Sequence, residues 1–339
     1  MDWNSGYSSL YELKKVDPVS WMDTGYLKFK SGSVSRSTSD LIESADLKMT
    51  ERVRECWVRV YLRAKKNSGS GARVPIFTGL AMTPQRDLDG EREEYPTQCY
   101  SVLKPAQDTL TPRGYYVPAG APAAQLAASL LSVGPAPVEY DEGSPALLEA
   151  VVTEDSDTNL SVAKKIIDAI GWRIRIDGNG CIRICPRAAE SSARYDAFEA
   201  DAVELSVTDE DDWYDCPNCI RVVSGDKYIE VKDESPDSML SINSRKAGRG
   251  GTGEIWKQES TASIGAGESL AEFALRKLRE AQAHARTIKY YRRYNPELTV
   301  SDVVNLHYPK VGIDGNFRII SQTVNLGYAA RTEEKVVEA

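Results

Sequence analysis

The sequence predicts an α+β protein that is mainly β, with two β-rich parts on either side of a small α/β module. Short segments with alternating apolar and polar residues recur in the first and last thirds of the chain. The middle third combines two helical patterns with a strong hairpin signal. The 339 residues are 41% hydrophobic and 27% charged, which is ordinary globular usage and sufficient for two or three domains.

Residues 1–104 are predicted to form the first domain, a small β-barrel or sandwich. The clean alternation of Trp57–Ala64 indicates a strand with one face in the core and the other in solvent. The Gly- and Ser-rich segment Lys65–Arg73 is then a flexible hairpin loop that leads into a partner strand, Val74–Ala81. A further strand pattern covers Tyr95–Val102. Short strands at this spacing are typical of a barrel or a sandwich.

Residues 105–197 are predicted to form the small α/β domain. Two short amphipathic helices are expected, Ala123–Val133 and a second one that Thr158 or Asn159 caps. A hairpin follows, because Asp-Gly and Asn-Gly are the strongest short turn signals. Its two strand segments flank the turn Asp-Gly-Asn-Gly and are Trp172–Ile176 and Cys181–Cys185.

Residues 198–339 are predicted to form a second β-rich domain, similar to the first, with one inserted helix. Ser269-x-x-Glu272 is a capping-box signature, and the apolar residues after it repeat at helical spacing. This pattern predicts a helix over residues 269–286. The strand patterns around it are Ile220–Val223, Tyr228–Val231, Ile255–Glu259, Thr287–Tyr291, Val303–Tyr308 and Phe317–Leu326.

Composition and charge argue against several classes of function. The chain has 42 basic and 50 acidic residues, so the basic surplus typical of nucleic-acid binding is missing. No stretch approaches the ~18–20 apolar residues of a membrane helix, and we expect neither a signal peptide nor membrane anchoring. Only His284 and His307 are present, which removes most histidine-dependent catalysis. We therefore predict no catalytic residues, no cofactor and no metal.

The six cysteines are predicted to be free thiols of a cytosolically made protein. A zinc site built from Cys181, Cys185, Cys216 and Cys219 conflicts with the strand pattern. That pattern places the first two sulfurs about 13 Å apart, at ~3.3 Å per residue. Cys216 and Cys219 precede a strand, whereas a redox CxxC motif opens a helix. Zinc and redox chemistry at this pair remain as alternatives to the interpretation as packed thiols.

Two Gly-rich segments with basic flanks are candidate interaction loops. Gly248–Gly253 matches GxGxxG formally, but a strand pattern follows it where the dinucleotide-binding motif requires a helix. We predict that segments 65–73 and 245–253 are mobile in the free chain and become ordered on assembly. The candidate interaction residues are Lys65, Lys66, Arg73, Arg245, Lys246 and Arg249.

Three stretches follow one another in a recognisable order. The first is Trp57-Val-Arg-Val-Tyr-Leu with the later Pro75-Ile-Phe-Thr-Gly-Leu, and the second is Ala169-Ile-Gly-Trp-Arg-Ile-Arg-Ile-Asp-Gly-Asn-Gly-Cys-Ile-Arg-Ile-Cys-Pro. The third is Asn295-Pro-Glu-Leu-Thr-Val-Ser-Asp-Val-Val-Asn-Leu-His-Tyr-Pro, followed by Gly312-Ile-Asp-Gly-Asn-Phe-Arg-Ile-Ile-Ser-Gln. Together they resemble the baseplate hub proteins of contractile phage tails and phage-tail-like particles. That family is related to the base of type VI secretion spike proteins.

The resemblance implies a homotrimer with two tube-like barrels per subunit, which form a ring of pseudo-sixfold symmetry. Such a ring is a symmetry adaptor between the hexameric tail tube protein and the trimeric central spike protein. It also contacts baseplate wedge or other tail proteins. The expected location is the baseplate of a virion or of a tail-like particle such as a bacteriocin, assembled in the bacterial host cytoplasm. DNA is expected only as passing cargo, and an acidic channel wall would repel it.

The same resemblance implies a structural protein with no enzymatic activity, because the chain ends soon after its last strand pattern, without a peptidase region. The alternative is a tail-tip cell-wall hydrolase or peptidase. Its simplest form would use a Cys–His pair that includes His284 or His307. A carbohydrate- or receptor-binding β-protein is a third possibility and would require exposed aromatic platforms.

Overall fold

The computed structural model describes residues 3, 6–38, 41–66, 69, 71–89, 92–148, 150–187, 193–198, 206–214, 216–224, 226–260, 268–283, 285–327 and 331–339. The strands of the first third are β1 (Ser8–Val16), β2 (Asp23–Leu27), β3 (Phe29–Ser37), β4 (Glu43–Met49), β5 (Cys56–Lys65), β6 (Gly71–Pro84), β7 (Asp87–Asp89) and β8 (Arg92–Ser101). The middle third contains α1 (Lys104–Asp108), β9 (Tyr116–Val117), α2 (Ala123–Leu131), β10 (Val138–Tyr140), β11 (Val151–Val152), α3 (Asn159–Ala169), β12 (Trp172–Ile176), β13 (Ile182–Pro186) and β14 (Tyr195–Phe198).

The last third alternates strands with two helices and one short 3₁₀ turn. Its elements are β15 (Val207–Asp211), β16 (Cys219–Ser224), β17 (Lys227–Lys232), α4 (Ile242–Arg249), β18 (Trp256–Ser260), α5 (Leu270–Ala283), β19 (Arg286–Arg292), β20 (Val303–Tyr308), the turn Pro309–Val311, β21 (Ile313–Asn325) and β22 (Thr332–Glu338). None of the helices in the described residues combines the length and the hydrophobicity that a membrane span requires.

One large sheet runs through both β-rich parts of the chain. Its fourteen strands follow the order β15-β19-β22-β21-β3-β4-β8-β6-β5-β1-β2, with β20 beside β21, β14 beside β20 and β7 beside β8. The two parts meet where β3 pairs antiparallel with β21, so that Val34 lies opposite Val324. Both valines are buried, because each strand turns its apolar residues to the same side. The predicted fold class, α+β and mainly β, is confirmed at this level.

Strand β5 corrects one sequence prediction. Its alternation predicted one face in solvent, yet Trp57, Arg59 and Tyr61 on that face are each at most 7% exposed. Trp21 packs against Trp57 and Arg73 against Tyr61, while the turn between β12 and β13 covers Arg59. The carbonyl of Asn179 in this turn accepts a hydrogen bond from Arg59 at 3.0 Å. Alternation identified the strand correctly, but it could not reveal that a second part of the chain folds over its polar side.

The middle module packs two helices against a small sheet. Thr158 caps α3 through a reciprocal pair of hydrogen bonds with Ser161, and Gly171 takes a left-handed conformation just beyond its end, with φ +68°. Strand β13 lies between β12 and β10, and its isoleucines face the helices. The predicted helix and hairpin are both present. The buried helix faces and these isoleucines form one core with Val16 of the first β-rich part.

The hairpin turn of this module presses directly on β6. Thr78 donates a hydrogen bond to the carbonyl of Gly178 at 2.8 Å. A Cβ atom built on Gly178 would lie 1.9 Å from the carbonyl oxygen of Pro75. Only glycine therefore fits at this position, and the turn fixes the module against the large sheet.

The last third contains a further small unit. Strands β17, β16 and β18 form a three-stranded sheet, and α5 packs on it through Phe273 and Leu278. Ser269 and Glu272 make the predicted capping box, but α5 ends at Ala283, and Arg286 already belongs to β19. The predicted span 269–286 was therefore too long at its end. His284 lies outside the described residues.

Candidate interaction surfaces and domain junctions

The first predicted interaction loop is much shorter than expected. Lys65 is the last residue of β5 and Arg73 belongs to β6, so the strands occupy both ends of the predicted loop. Arg73 donates a hydrogen bond to Glu12 at 3.0 Å, and its guanidinium lies 3.5 Å from the ring centre of Tyr61. Arg73 thus holds β6 to neighbouring strands. Lys66 follows β5, and residues 67, 68 and 70 lie outside the described part of the chain.

The first half of the second predicted loop is helical, since residues 245–249 belong to α4, while its mobility in the free chain stays a prediction. Ser241 caps α4, and Gly250 ends it with φ +75°. Arg245 is only 8% exposed and donates a hydrogen bond to the carbonyl of Trp213 at 3.0 Å. Lys246 and Arg249 lie on the exposed side. The glycines that follow this helix produced the loop signal, because glycine is common both in loops and at helix C-termini.

The thiols and the described histidine carry no signs of an activated nucleophile. Burial raises the pKa of the Cys181 and Cys219 thiols to about 11 each. Nδ1 of His307 lies 2.9 Å from Asp314, and its ring stacks on Phe198. In the ranges that the structure describes, no three potential metal ligands come together. A reactive thiolate requires a lowered pKa, so this environment disfavours the Cys–His alternative.

A chain of buried polar side chains crosses the junction between the two β-rich parts. On the β21 side, Gln322 lies between Arg36 of β3 and Glu334 of β22, at 2.7 Å from each. Glu334 also accepts two hydrogen bonds from Arg292, at 2.7 and 2.5 Å, and one from Tyr290 at 2.5 Å. Both carboxylate oxygens of Glu334 therefore accept hydrogen bonds. The Arg292 guanidinium lowers the pKa of Glu334, although the carboxyl group is completely buried.

The other end of this chain is less well compensated. Glu43 is 4% exposed, and Oε2 lies 3.4 Å from Nε of Arg36. Arg36 directs its shorter contacts elsewhere, to Gln322 and to the carbonyl of Ile76. Oε1 of Glu43 has no hydrogen-bond partner among the described residues. Burial therefore raises the pKa of Glu43 to about 7.

A second polar junction joins the middle module to the last third. Asp302, just before β20, is completely buried and accepts a hydrogen bond from the backbone N–H of Thr299. Three guanidiniums surround its carboxylate: Arg173 at 3.3 Å, Arg194 at 3.2 Å and Arg175 at 3.6 Å. Two of them come from β12, and the third immediately precedes β14. One acidic residue thus connects three separate segments.

Sequence reasoning missed both junctions. The sequence did contain a sign of the junction around Asp302. Arg173 and Arg175 alternate with apolar residues in β12, so their side chains share the polar face of this strand. Their common partner, Asp302, lies more than 120 residues away, and no local pattern connects them. Glu43 and Glu334 likewise gave no local signal.

Comparison with known proteins was made by sequence and by structure. No protein-family model and no curated protein matches the chain. Solved structures do match. A tail protein from Neisseria meningitidis MC58 superposes with a TM-score of 0.73 at 14% identity, over 98% of this chain and 97% of that one. The 43 kDa tail protein of prophage MuSo2 from Shewanella oneidensis gives a TM-score of 0.70 at 13% identity, over 98% of both chains.

The chain has the fold of phage tail proteins. This finding confirms the predicted resemblance to tail hub proteins at the level of the fold. A third structure extends it: an Escherichia coli component of the type VI secretion system, described as similar to the T4 tail proteins gp27 and gp5. It matches with a TM-score of 0.51 at 8% identity, over 92% of this chain and 74% of that chain. The tail-protein fold therefore covers nearly the whole sequence.

Proposed function

We propose that the chain is a structural baseplate hub of a contractile phage tail or tail-like particle. The observation that carries this proposal is the end-to-end match to two bacterial tail proteins, which leaves almost no part of either fold unaccounted for. Two buried polar junctions in the described residues join separate parts of the chain, which is consistent with a structural role.

The finer proposal is a homotrimer that adapts the hexameric tail tube to the trimeric central spike. Each subunit contributes two tube-type barrel regions, one from each β-rich part, and three subunits supply the six regions of a ring. The direct pairing of β3 with β21 supports this arrangement, because it holds the two regions at a fixed spacing. An adaptor must keep that spacing when it is loaded by the tube on one side and the spike on the other.

The proposal includes the absence of enzymatic activity. The raised pKa values of the Cys181 and Cys219 thiols and the carboxylate contact of His307 support it. A Cys–His hydrolase is the competing function. If wall clearing by the particle were lost when His284 and His307 are both replaced, the hydrolase would be favoured.

The proposed ring also carries a large negative charge, −24 for three chains of −8 each. Part of this charge is proposed to line the channel, where it would keep DNA phosphates from binding as they pass. A basic channel wall in a structure of the assembled ring would refute this part of the proposal.

The decisive experiment measures mass in solution by light scattering, for the chain alone and with its spike partner. Three chains of 37.4 kDa give a trimer of about 112 kDa. A trimer alone, or a trimer that forms on addition of the spike, supports the adaptor. A monomer under both conditions contradicts it and favours a lone binding module or an enzyme.

A further inference from the structure

An open cleft lies over the polar face of the β10-β13-β12 sheet. Its volume is about 560 Å³. Strand pairing places Arg173 opposite Cys185 and Arg175 opposite Arg183, while Arg194 contributes from the segment before β14. The opposite face of this sheet packs against helices α2 and α3, so the cleft has a rigid floor.

The positive charge in this cleft exceeds what its buried partner can balance. Among the described residues, Arg173, Arg175 and Arg194 share the single carboxylate of Asp302, which leaves two of these three positive charges without a carboxylate of their own. Nε of Arg173 is buried and has no hydrogen-bond partner among the described residues. The pKa of Arg175 is lowered by burial and by the two neighbouring guanidiniums, as expected where cations crowd together.

Arg183 differs from these three arginines. Asp141 accepts hydrogen bonds from Nε of Arg183 at 3.0 Å and from Nη2 at 2.7 Å, which neutralises it. Glu139 and Asp177 also line the cleft. The excess positive charge is thus confined to the end of the cleft near Asp302, and carboxylates surround the rest.

We propose that this cleft binds a compact oxyanion, a carboxylate or a phosphate group, between Arg173, Arg175 and Arg194. Guanidiniums present pairs of N–H donors that match the oxygens of both groups, and such charge-assisted hydrogen bonds are among the strongest in proteins. The carboxylates around the cleft repel extended polyanions, so nucleic acid does not fit. The site is independent of the proposed hub function, since it lies within one chain.

The test is a calorimetric titration of the full chain with inorganic phosphate and, separately, with glutarate, in a low-salt buffer free of other oxyanions. The informative variant is Arg175→Gln, because Arg175 makes the longest of the three contacts with Asp302 and its loss leaves that carboxylate paired. The matched control is Arg113→Gln, which removes the same charge from an 87% exposed side chain outside the cleft.

The expected result is saturable binding of at least one anion, weakened about tenfold or more by Arg175→Gln and unchanged by Arg113→Gln. A tenfold loss corresponds to ~1.4 kcal/mol. Glutarate binding tighter than phosphate would identify the ligand as a carboxylate side chain of a neighbouring protein. The reverse order would identify a free or esterified phosphate. Absence of binding by both anions, or equal loss in both variants, would overturn the proposal.

A second variant makes the test independent of one substitution. Asp302→Asn removes the carboxylate that the three arginines share, so it should lower the thermal midpoint of the free protein and increase its stabilisation by phosphate or glutarate. If Asp302→Asn lowers the midpoint and neither anion restores it, the three arginines act only as a structural junction. That outcome would also overturn the proposal.

Discussion

Glu334→Gln is expected to destabilise the protein strongly, although the substitution changes almost no volume. Glu334 is completely buried and accepts four hydrogen bonds from Arg292, Tyr290 and Gln322. A glutamine side chain can accept hydrogen bonds at only one oxygen. Its NH2 group would face N–H or O–H donors that now bind the second carboxylate oxygen. Arg292, whose side chain is 4% exposed, then keeps a buried positive charge without a carboxylate. Removing one partner of a buried ion pair costs ~3–5 kcal/mol.

The matched control lies next to it on β22. Glu333 pairs with Lys289 at 2.8 Å, but its side chain is 35% exposed. Exposed ion pairs contribute ~0–1 kcal/mol. Glu333→Gln should therefore cost about 1 kcal/mol or less, and the two variants should differ by roughly 2–5 kcal/mol.

The assay is urea unfolding followed by the fluorescence of the six tryptophans, with midpoints compared at constant slope. The lowered pKa of Glu334 adds a second readout. Its contribution is present above the ordinary Glu pKa of 4.5 and is lost as the pH falls through the folded-state value. The wild type and Glu334→Gln should therefore converge in acid. Equal midpoints for the Glu333 and Glu334 variants at neutral pH would refute the reasoning.

Three further outcomes are expected. The pKa of Glu43 is raised to about 7, so its contribution to stability declines as the pH rises from about 4.5 through 7. Glu43→Gln should therefore flatten the plot of unfolding midpoint against pH in that range. An unchanged plot would contradict this reasoning. Gly178→Ala should lower the free energy of unfolding by ~1–3 kcal/mol, because the new Cβ forces the turn away from β6. Gly248→Ala should raise it by ~0.5–1 kcal/mol in the same urea titration, because Gly248 lies in α4 and a Cβ there meets no neighbouring atom. Iodoacetamide at pH 7.5 should label native Cys181 and Cys219 slowly and all six cysteines rapidly after unfolding, as measured by mass spectrometry. Rapid labelling of native Cys181 would contradict its raised pKa.

Local patterns predicted most individual elements but not the partners of their polar faces. The capping signals at Thr158 and Ser269 and the Asp-Gly-Asn-Gly turn each depend on a few adjacent residues, and each is present. The exposed face expected for β5 was wrong, because the turn that covers Arg59 lies about 120 residues further along the chain. Alternation reports which residues share a face, but not what packs against that face.

The candidate site was the least predictable part. Basic residues beside glycines indicated interaction loops, but Arg73 is held within a sheet and Arg245 is buried against Trp213. The arginine cleft is built around Asp302, which is far from Arg173 in the sequence. The sequence therefore does not show that these arginines share one carboxylate. The domain boundaries at 104 and 197 stay predictions. The outer parts share one sheet, but a shared sheet does not define where one domain ends.

The acidic strand at one end of the large sheet restricts how copies of the chain can meet. β15 pairs with β19 on one side, and within the described residues its other backbone edge is unpaired. Asp209, Glu210 and Asp211 are exposed along it. Antiparallel self-pairing of two such edges would bring carboxylates face to face, which is destabilising. This edge therefore opposes a twofold dimer that pairs through β15, and any partner that pairs with it must present a different, preferably cationic, surface.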